Sequence, residues 1–218
     1  MWERVSVRRL AAEERSQAII KAALGLFADK GFDATTTRRL ARAAGVSEAL
    51  LFKHFPTKRA LYRAILEYKL EEAEQALPLD DSLLALDDEE FFLRIALHLM
   101  RRVDADDAFC RLMLRSAMDG HDLALRFRQA RSGRLLNLME KKIRMRCQRE
   151  GVEPEVDPSL SARIFSGMIL SAMLNRRIFR EEVMSRTSLK DLSQAMVRVF
   201  LQGIESRRAS LELTRSRP

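Results

Sequence analysis

The chain of 218 residues contains 39 Lys and Arg against 31 Asp and Glu, a net charge of +8 that favours polyanionic partners. With 47% hydrophobic residues but only eight Gly and five Pro, the composition favours an all-helical protein with a substantial core. Cys110 and Cys147 are too far apart in sequence to suggest a disulfide framework or a zinc site. The start is too charged for a signal peptide, and no apolar run is long enough for a membrane span, so we expect a cytoplasmic protein without a membrane partner.

Helical periodicity recurs along the chain, and Gly and Pro mark the ends of the predicted helices. A basic arm at residues 1–12 precedes the first helix. About nine helices are predicted, and they cover residues 12–30, 36–45, 47–55, 57–76, 89–103, 105–118, 123–149, 158–180 and 188–206. No segment alternates convincingly enough to predict a strand.

Residues 35–61 are the most informative segment, because two short apolar helices flank Gly45 there. Gly45 can adopt the positive φ that ends the first of these helices, and the Ser47 hydroxyl can cap the second. Ala41 is small enough to let the two helices cross closely. This is the pattern of a DNA-binding helix-turn-helix, whose second helix enters the major groove. The charge distribution agrees, since residues 1–60 hold twelve Lys/Arg and six Asp/Glu.

Two wide apolar stripes lie on the predicted helices 158–180 and 188–206. These faces can pair with those of a second copy as a four-helix bundle, or they can cover the protein's own core. The pattern leaves both alternatives open. The residues expected at a dimer interface are Leu160, Ile164, Met168, Leu192, Met196, Val199 and Phe200.

Most of the ten methionines fall in the C-terminal helices, together with several phenylalanines. Because Met is flexible, such residues can line an adaptable apolar pocket, or they can fill an ordinary core. A pocket of this kind would bind an apolar or amphipathic small molecule. The candidate ligand-binding residues are His98, Met113, Phe127, Phe165, Met168 and Asn175, with Arg176 as a further polar anchor.

The first 66 residues resemble the tetracycline-repressor (TetR) family of bacterial regulators. The matching residues are Gly31-Phe32, Thr35-Thr36-Thr37, Leu40-Ala41, Ala44-Gly45-Val46-Ser47, Leu51-Phe52, His54-Phe55, Lys58 and Leu61. The resemblance implies an all-α protein with an N-terminal three-helix helix-turn-helix domain, residues 1–57, that binds DNA. It implies a larger C-terminal helical domain, residues 58–218, for ligand binding and dimerisation. Such proteins are homodimers, usually repressors, whose small-molecule ligand weakens operator binding.

The resemblance also assigns roles within the helix-turn-helix. Thr37, or Thr36 in its place, is expected to contact a phosphate. Arg38 resembles the residue that reads a guanine in some members, with a phosphate contact as the alternative. Lys58 matches the family's phosphate-binding lysine. The other residues expected at the DNA surface are Ser47, Glu48, Ala49, Leu50, Phe52, Lys53 and His54.

Three residues of the recognition helix are unusual for that family. Ala49 stands where Gly is common, and Phe52 stands where Tyr is common. Glu48 is an acid facing DNA, which can accept a hydrogen bond from cytosine N4 or can only repel adenine- and guanine-rich edges.

These observations predict a ligand-responsive homodimeric repressor that binds double-stranded operator DNA. An enzyme is not expected, since GxSxG, HExxH and Gly-rich phosphate loops are absent, and neither a cofactor nor a metal is expected. The alternative is an architectural or non-specific DNA-binding protein without a ligand. The repressor hypothesis predicts that Arg38→Ala and Lys58→Ala weaken DNA binding while folding and dimerisation stay unchanged.

Overall fold

The computed structural model describes residues 2–105 and 107–204, with side-chain surroundings from residue 12 onward except at residue 128. The described residues form no strand, so the all-α prediction is confirmed. The helices are α1 (Trp2–Lys30), α2 (Thr37–Ala43), α3 (Glu48–His54), α4 (Lys58–Ala76), α5 (Asp88–Ala105), α6 (Ala108–Met118), α7 (Asp122–Phe127), α8 (Gly133–Glu150), α9 (Pro158–Arg177), α10 (Glu182–Arg186) and α11 (Leu189–Gly203). A short 3-10 helix covers Asp81–Ala85. No helix in the described part of the chain is both long and apolar enough to cross a bilayer.

Local capping signals place most helix ends where the sequence predicts them. The Asp157 carboxylate accepts from the Leu160 N–H at 3.0 Å, and Pro158 occupies the first helical position of α9. The Thr57 hydroxyl accepts from the Ala60 N–H at 3.0 Å at the start of α4. Gly151 ends α8 in the left-handed conformation, with φ +64°. These ends depend on one or two neighbouring residues, which is why sequence alone predicts them.

The predicted helix over residues 123–149 is wrong as a single element. A π-helical turn at Arg128–Ser132 separates α7 from α8. Within this turn the buried Arg131 guanidinium donates to Glu74 Oε2 at 2.6 Å and to the Ala73 carbonyl at 2.9 Å on α4. A π turn differs from an α turn by one residue, and side-chain periodicity does not reveal so small a change.

One helix boundary and one additional helix also differ from the prediction. Helix α1 begins at Trp2 rather than near Ala12, because the residues between them include neither Gly nor Pro to interrupt it. The side chains of the predicted basic arm lie outside the described residues, as do residues 205 and 206 at the predicted end of the last helix. The additional helix α10 follows α9 in a segment predicted to be a connection.

The described residues divide into two compact units, each with its own core. The first unit consists of α1–α4 together with α6 and α7, and its core centres on Phe27, Leu51 and Ile65. The second unit consists of α5 and α8–α11, and the rings of Phe92, Phe165 and Phe200 lie 4.7–5.0 Å apart in its core. The compact unit that contains the helix-turn-helix therefore also includes α4, α6 and α7. The predicted domain boundary after residue 57, which separates DNA binding from ligand binding and dimerisation, stays a prediction.

Candidate nucleic-acid interface

The turn between α2 and α3 has the geometry that the sequence predicts. Gly45 has φ +66°, and a Cβ atom there would meet no heavy atom within 4 Å, so only the backbone conformation requires glycine. The Val46 N–H donates to the Ala41 carbonyl at 2.9 Å. The Ser47 hydroxyl caps α3 by accepting from the Leu50 N–H at 3.1 Å. The predictions for Gly45 and Ser47 are confirmed.

One face of α2 and α3 is buried, and this burial leaves the other face exposed. Leu40 and Ala41 of α2 and Leu51 of α3 are buried in the core of the first unit. The exposed residues of the two helices include Arg38, Arg42, Glu48, Ala49, Phe52 and Lys53. His54 and Leu50 are half-buried. The residues expected to contact DNA therefore lie mainly on the accessible side of the helix-turn-helix.

Three basic side chains on this exposed face carry charge that no neighbouring acid neutralises. Arg38, Arg42 and Lys53 form no ion pair within the described residues. A surface of unpaired cations on two adjacent helices attracts a polyanion, because phosphate contacts release the condensed counterions of DNA. Arg38 also has the planar guanidinium that can donate two hydrogen bonds to guanine.

The two adjacent threonines at the start of α2 have different hydrogen bonds. The Thr36 hydroxyl oxygen caps α2 by accepting from the Arg39 N–H at 3.3 Å. The Thr37 hydroxyl instead donates to Glu48 Oε2 on α3 at 3.1 Å. The sequence treats the two as interchangeable, whereas the structure gives each a separate bond; a phosphate contact by either stays a prediction.

Lys58 holds the start of α4 against the connection between α1 and α2. Its ammonium group donates to the carbonyls of Phe32 at 2.8 Å and Thr35 at 3.1 Å. It also lies 4.3 Å from the centroid of the Phe32 ring. Lys58 thus stabilises the backbone that leads into the helix-turn-helix. We therefore expect Lys58→Ala to reduce stability as well as any DNA affinity, contrary to the sequence-based expectation of unchanged folding.

Helix α6 and the turn before α7 supply further contacts to the end of α1 and to the residues that follow it, and sequence reasoning did not find them. The Arg115 guanidinium donates to the Asp29 carbonyl at 2.9 Å, and its Cδ lies 3.2 Å from where a Cβ of Gly31 would be. The His121 ring packs at 5.1 Å from Phe32 and 3.4 Å from an Asp33 carboxylate oxygen. These partners are more than 80 residues apart along the chain, so no local pattern reveals them.

Tyr62 completes the aromatic cluster under this connection. Its ring packs at 5.1 Å from Phe27 and 4.9 Å from Phe32. Burial raises the pKa of the Tyr62 phenol above its ordinary value. The phenol therefore stays neutral at physiological pH and serves as packing and a hydrogen-bonding group.

The candidate ligand-binding residues are divided between the two units. Met113 and Phe127 pack against the core of the first unit, whereas Phe165 and Met168 belong to the second. The half-buried His98 lies on α5 of the second unit. Asn175 and Arg176 of the same set form bonds within the second unit.

The two polar anchors on α9 already have intramolecular bonds. The Asn175 amide donates to the Ser171 carbonyl at 2.9 Å. Arg176 pairs with Asp104 at 2.8 Å and donates to the carbonyls of Met184 at 2.5 Å and Thr187 at 2.8 Å. Arg176 thereby fixes α10 against α9, which indicates a structural task that the sequence did not predict.

A cleft of about 370 Å³ opens in the first unit among α1, α4 and α6. Its lining residues include Lys21, Leu24, Gly25, Tyr68 and Lys69. None of the predicted ligand-binding residues lines it, so it is not the pocket that the sequence predicts.

The predicted dimer-interface residues divide into an exposed set and a buried set. Leu160, Ile164 and Val199 have exposed fractions of 51%, 49% and 62%. Leu192, Met196 and Phe200 instead pack in the core of their own unit. Met168, the remaining member, is half-buried against the same core. The buried set thus covers the core of its own unit, whereas pairing of the exposed set with a second copy stays a prediction.

Comparisons with known proteins identify the class to which this fold and surface belong. The sequence profile of the family described as "Bacterial regulatory proteins, tetR family" matches residues 19–65. The nucleoid occlusion factor SlmA of Sodalis glossinidius is 32% identical over 173 residues, which cover 74% of this chain and 80% of that protein. The chain therefore belongs to the TetR family of bacterial regulatory proteins.

Other relatives match over a shorter stretch of the chain. The nucleoid occlusion factor SlmA of Haemophilus ducreyi is 34% identical over 64 residues, and the match covers 32% of that protein's length. The chain thus spans about a third of the length of several relatives.

Two solved structures share the fold over most of the chain. The transcriptional regulator FadR from Bacillus subtilis, in complex with stearoyl-CoA, has a TM-score of 0.68 at 16% identity and covers 87% of this chain and 99% of its own. AibR, in complex with isovaleryl coenzyme A and operator DNA, has a TM-score of 0.65 at 20% identity and covers 84% of this chain and 96% of its own. At these identities the likeness shows the fold.

Proposed function

We propose that this chain is a homodimeric repressor that binds a palindromic operator and is released by a small amphipathic effector. The observation that carries the proposal is the exposed face of α2 and α3, on which Arg38, Arg42 and Lys53 form no ion pair within the described residues. Such a face provides phosphate contacts for affinity and base contacts for specificity. A transcription factor acts where the DNA is, so we place the protein in the cytoplasm.

The proposed dimer joins the exposed apolar residues of α9 and α11, centred on Ile164 and Val199. A two-fold symmetric pair presents two recognition helices, and these meet successive major grooves about 34–36 Å apart or a multiple of that distance. The operator is therefore expected to be a palindrome whose half-sites repeat with the helical pitch of DNA.

For the effector we propose an acyl-coenzyme A. FadR and AibR, which share this fold, are bound to stearoyl-CoA and isovaleryl coenzyme A respectively. A pocket lined by Met and Phe side chains suits an acyl chain, because the flexible Met thioethers adapt to the shape of that chain. We propose His98, Phe165, Met168 and Asn175 as effector contacts, all of them within the second unit. An effector that prefers the state unable to bind DNA lowers DNA affinity by linkage.

The test begins with capture of fragmented genomic DNA by the full-length protein, followed by footprinting of the enriched fragments. The proposal predicts a short palindromic footprint. Stearoyl-CoA and isovaleryl-CoA are then titrated into the purified complex, with free coenzyme A as the control. At least one acyl-CoA should weaken DNA binding about tenfold or more, consistent with ordinary allosteric coupling energies. An even coverage of all fragments would contradict operator binding, and equal affinity with every ligand would contradict this effector class.

A second candidate function follows from the relatives named nucleoid occlusion factors, one of which is 32% identical over 173 residues. In that case the chain acts on nucleoid DNA without a small effector, as the non-specific or architectural alternative also supposes. The same titration separates the candidates, because this second function predicts DNA binding that neither acyl-CoA changes.

A further inference from the structure

The recognition helix begins with an acid that has an unusual set of neighbours. Glu48 is exposed at the first position of α3, and its carboxylate accepts a hydrogen bond from the Thr37 hydroxyl at 3.1 Å. Within the described residues it has no Lys or Arg partner, although Arg38, Arg42 and Lys53 lie on the same two helices. The carboxylate is thus an unneutralised negative charge on the surface proposed to face DNA.

A carboxylate at this position can bind only a few of the groups that DNA presents. An ionised carboxylate has no proton to donate, so it is repelled by phosphates and by the acceptor atoms of guanine and thymine. On its own major-groove edge, cytosine presents the N4 amino group as a donor and no acceptor. The adenine N6 amino group lies beside the acceptor N7, which makes adenine a poorer partner. Cytosine is therefore the base that an acid here favours.

The hydrogen bond from Thr37 restricts where the Glu48 carboxylate can lie. A threonine hydroxyl has one proton, and here that proton is given to Glu48 Oε2. The bond crosses from α2 to α3 and so limits the rotamers of a side chain that solvent would otherwise leave mobile. A carboxylate held in this way loses less conformational entropy on binding than a mobile one does. It therefore discriminates between bases more sharply.

From this arrangement we propose that Glu48 makes each operator half-site require a cytosine, read at its N4 amino group. Thr37 is the positioning residue, which acts through the Glu48 carboxylate. The inference rests on the proposed function, since it concerns the same DNA-binding surface, and it specifies one base of an operator that the family assignment leaves unknown.

The test is selection from a random double-stranded DNA library, with deep sequencing, for the full-length wild type and four variants. The wild type should enrich a palindrome with one position per half-site at which cytosine is preferred about tenfold or more. Glu48→Gln should move the preference at that position to adenine, because an amide can both accept from N6 and donate to N7. Glu48→Ala should remove the preference there and leave the other positions unchanged.

Of the two further variants, one tests the positioning role of Thr37 and the other is a control. Thr37→Val keeps the side-chain shape but removes the hydroxyl, so the cytosine preference should weaken severalfold without moving to another base. Glu67→Gln alters an exposed acid on α4, outside the helix-turn-helix, and should select the wild-type motif. Circular dichroism checks that all variants are folded. We expect the Glu48 and Glu67 variants to fold, because both side chains are exposed.

The outcomes separate the failure of this inference from that of the proposed function. If the wild type enriches a palindrome and Glu48→Gln enriches the same one with the same bases, the role of Glu48 is overturned while operator binding stands. If the wild type enriches no motif while still binding DNA, the operator itself is contradicted and the cytosine requirement falls with it.

Discussion

At the scale of single residues, Lys58 shows how one side chain can serve folding at a position expected to serve DNA binding. Its ammonium bonds to the Phe32 and Thr35 carbonyls, and these bonds connect α4 to the segment that precedes α2. The family motif at this position predicts a phosphate contact, but the motif records only the residue type. The partners lie 26 and 23 residues earlier in the chain, so the sequence gives no sign of them.

We expect Lys58→Met to lower the free energy of unfolding by about 1.5–3 kcal/mol. The variant keeps most of the apolar stem but leaves two backbone carbonyls without their charged donor. Urea denaturation followed by circular dichroism measures the change. Lys53→Met is the matched control: Lys53 is exposed without an ion-pair partner in the described part of the chain, so its effect should stay within about 0.5 kcal/mol. Equal unfolding midpoints for the two variants would contradict the structural role of Lys58.

At the scale of elements, two glycines at which an added methyl group would meet open space have opposite expected effects on stability. A Cβ atom at either Gly25 or Gly45 would meet no heavy atom within 4 Å, so packing does not distinguish them. Gly25 lies within α1, where alanine is the better helix former, whereas Gly45 has φ +66°. The backbone conformation alone therefore decides the sign of each substitution.

Gly25→Ala should raise the free energy of unfolding by about 0.5–1 kcal/mol, and Gly45→Ala should lower it by about 1–2 kcal/mol. Each variant is the control for the other, since each adds one methyl group to open space. Chemical denaturation of both proteins under identical conditions gives the comparison. A shift of the same sign in both would show that some contact other than the backbone conformation determines the effect.

How far the sequence predicts these elements depends on the separation of the residues involved. The caps at Ser47 and Asp157 and the left-handed turn at Gly45 involve neighbours within a few residues, and all three predictions are confirmed. The π turn at Arg128–Ser132 was not predicted, because it depends on Arg131 reaching Glu74 on α4. In the same way, the hydrogen bond between Thr37 and Glu48 forms because α2 and α3 cross, and the sequence pattern of either helix alone does not predict it.

At the scale of the whole molecule, the proposed homodimer predicts a specific consequence for the exposed apolar residues of α9. Ile164→Glu should convert the dimer to a monomer, because it places two like charges in a two-fold symmetric apolar contact. Sedimentation equilibrium measures the change in mass. Met145→Glu is the control, since Met145 is an exposed apolar residue of α8 that is not expected at the interface. A dimer that persists in Ile164→Glu would show that the subunits associate through another surface.

Specific recognition of an operator is the central claim, and equilibrium DNA binding tests it most directly. Fluorescence anisotropy would compare the fragment upstream of the protein's own gene with a scrambled fragment of equal length, across a series of salt concentrations. Both affinities should fall as salt rises, because cations such as Arg42 and Lys53 displace counterions from phosphates. The account predicts that the upstream fragment binds about a thousandfold or more tightly at physiological salt. Equal affinity for the two fragments, repeated for every fragment recovered from the genome, would contradict it.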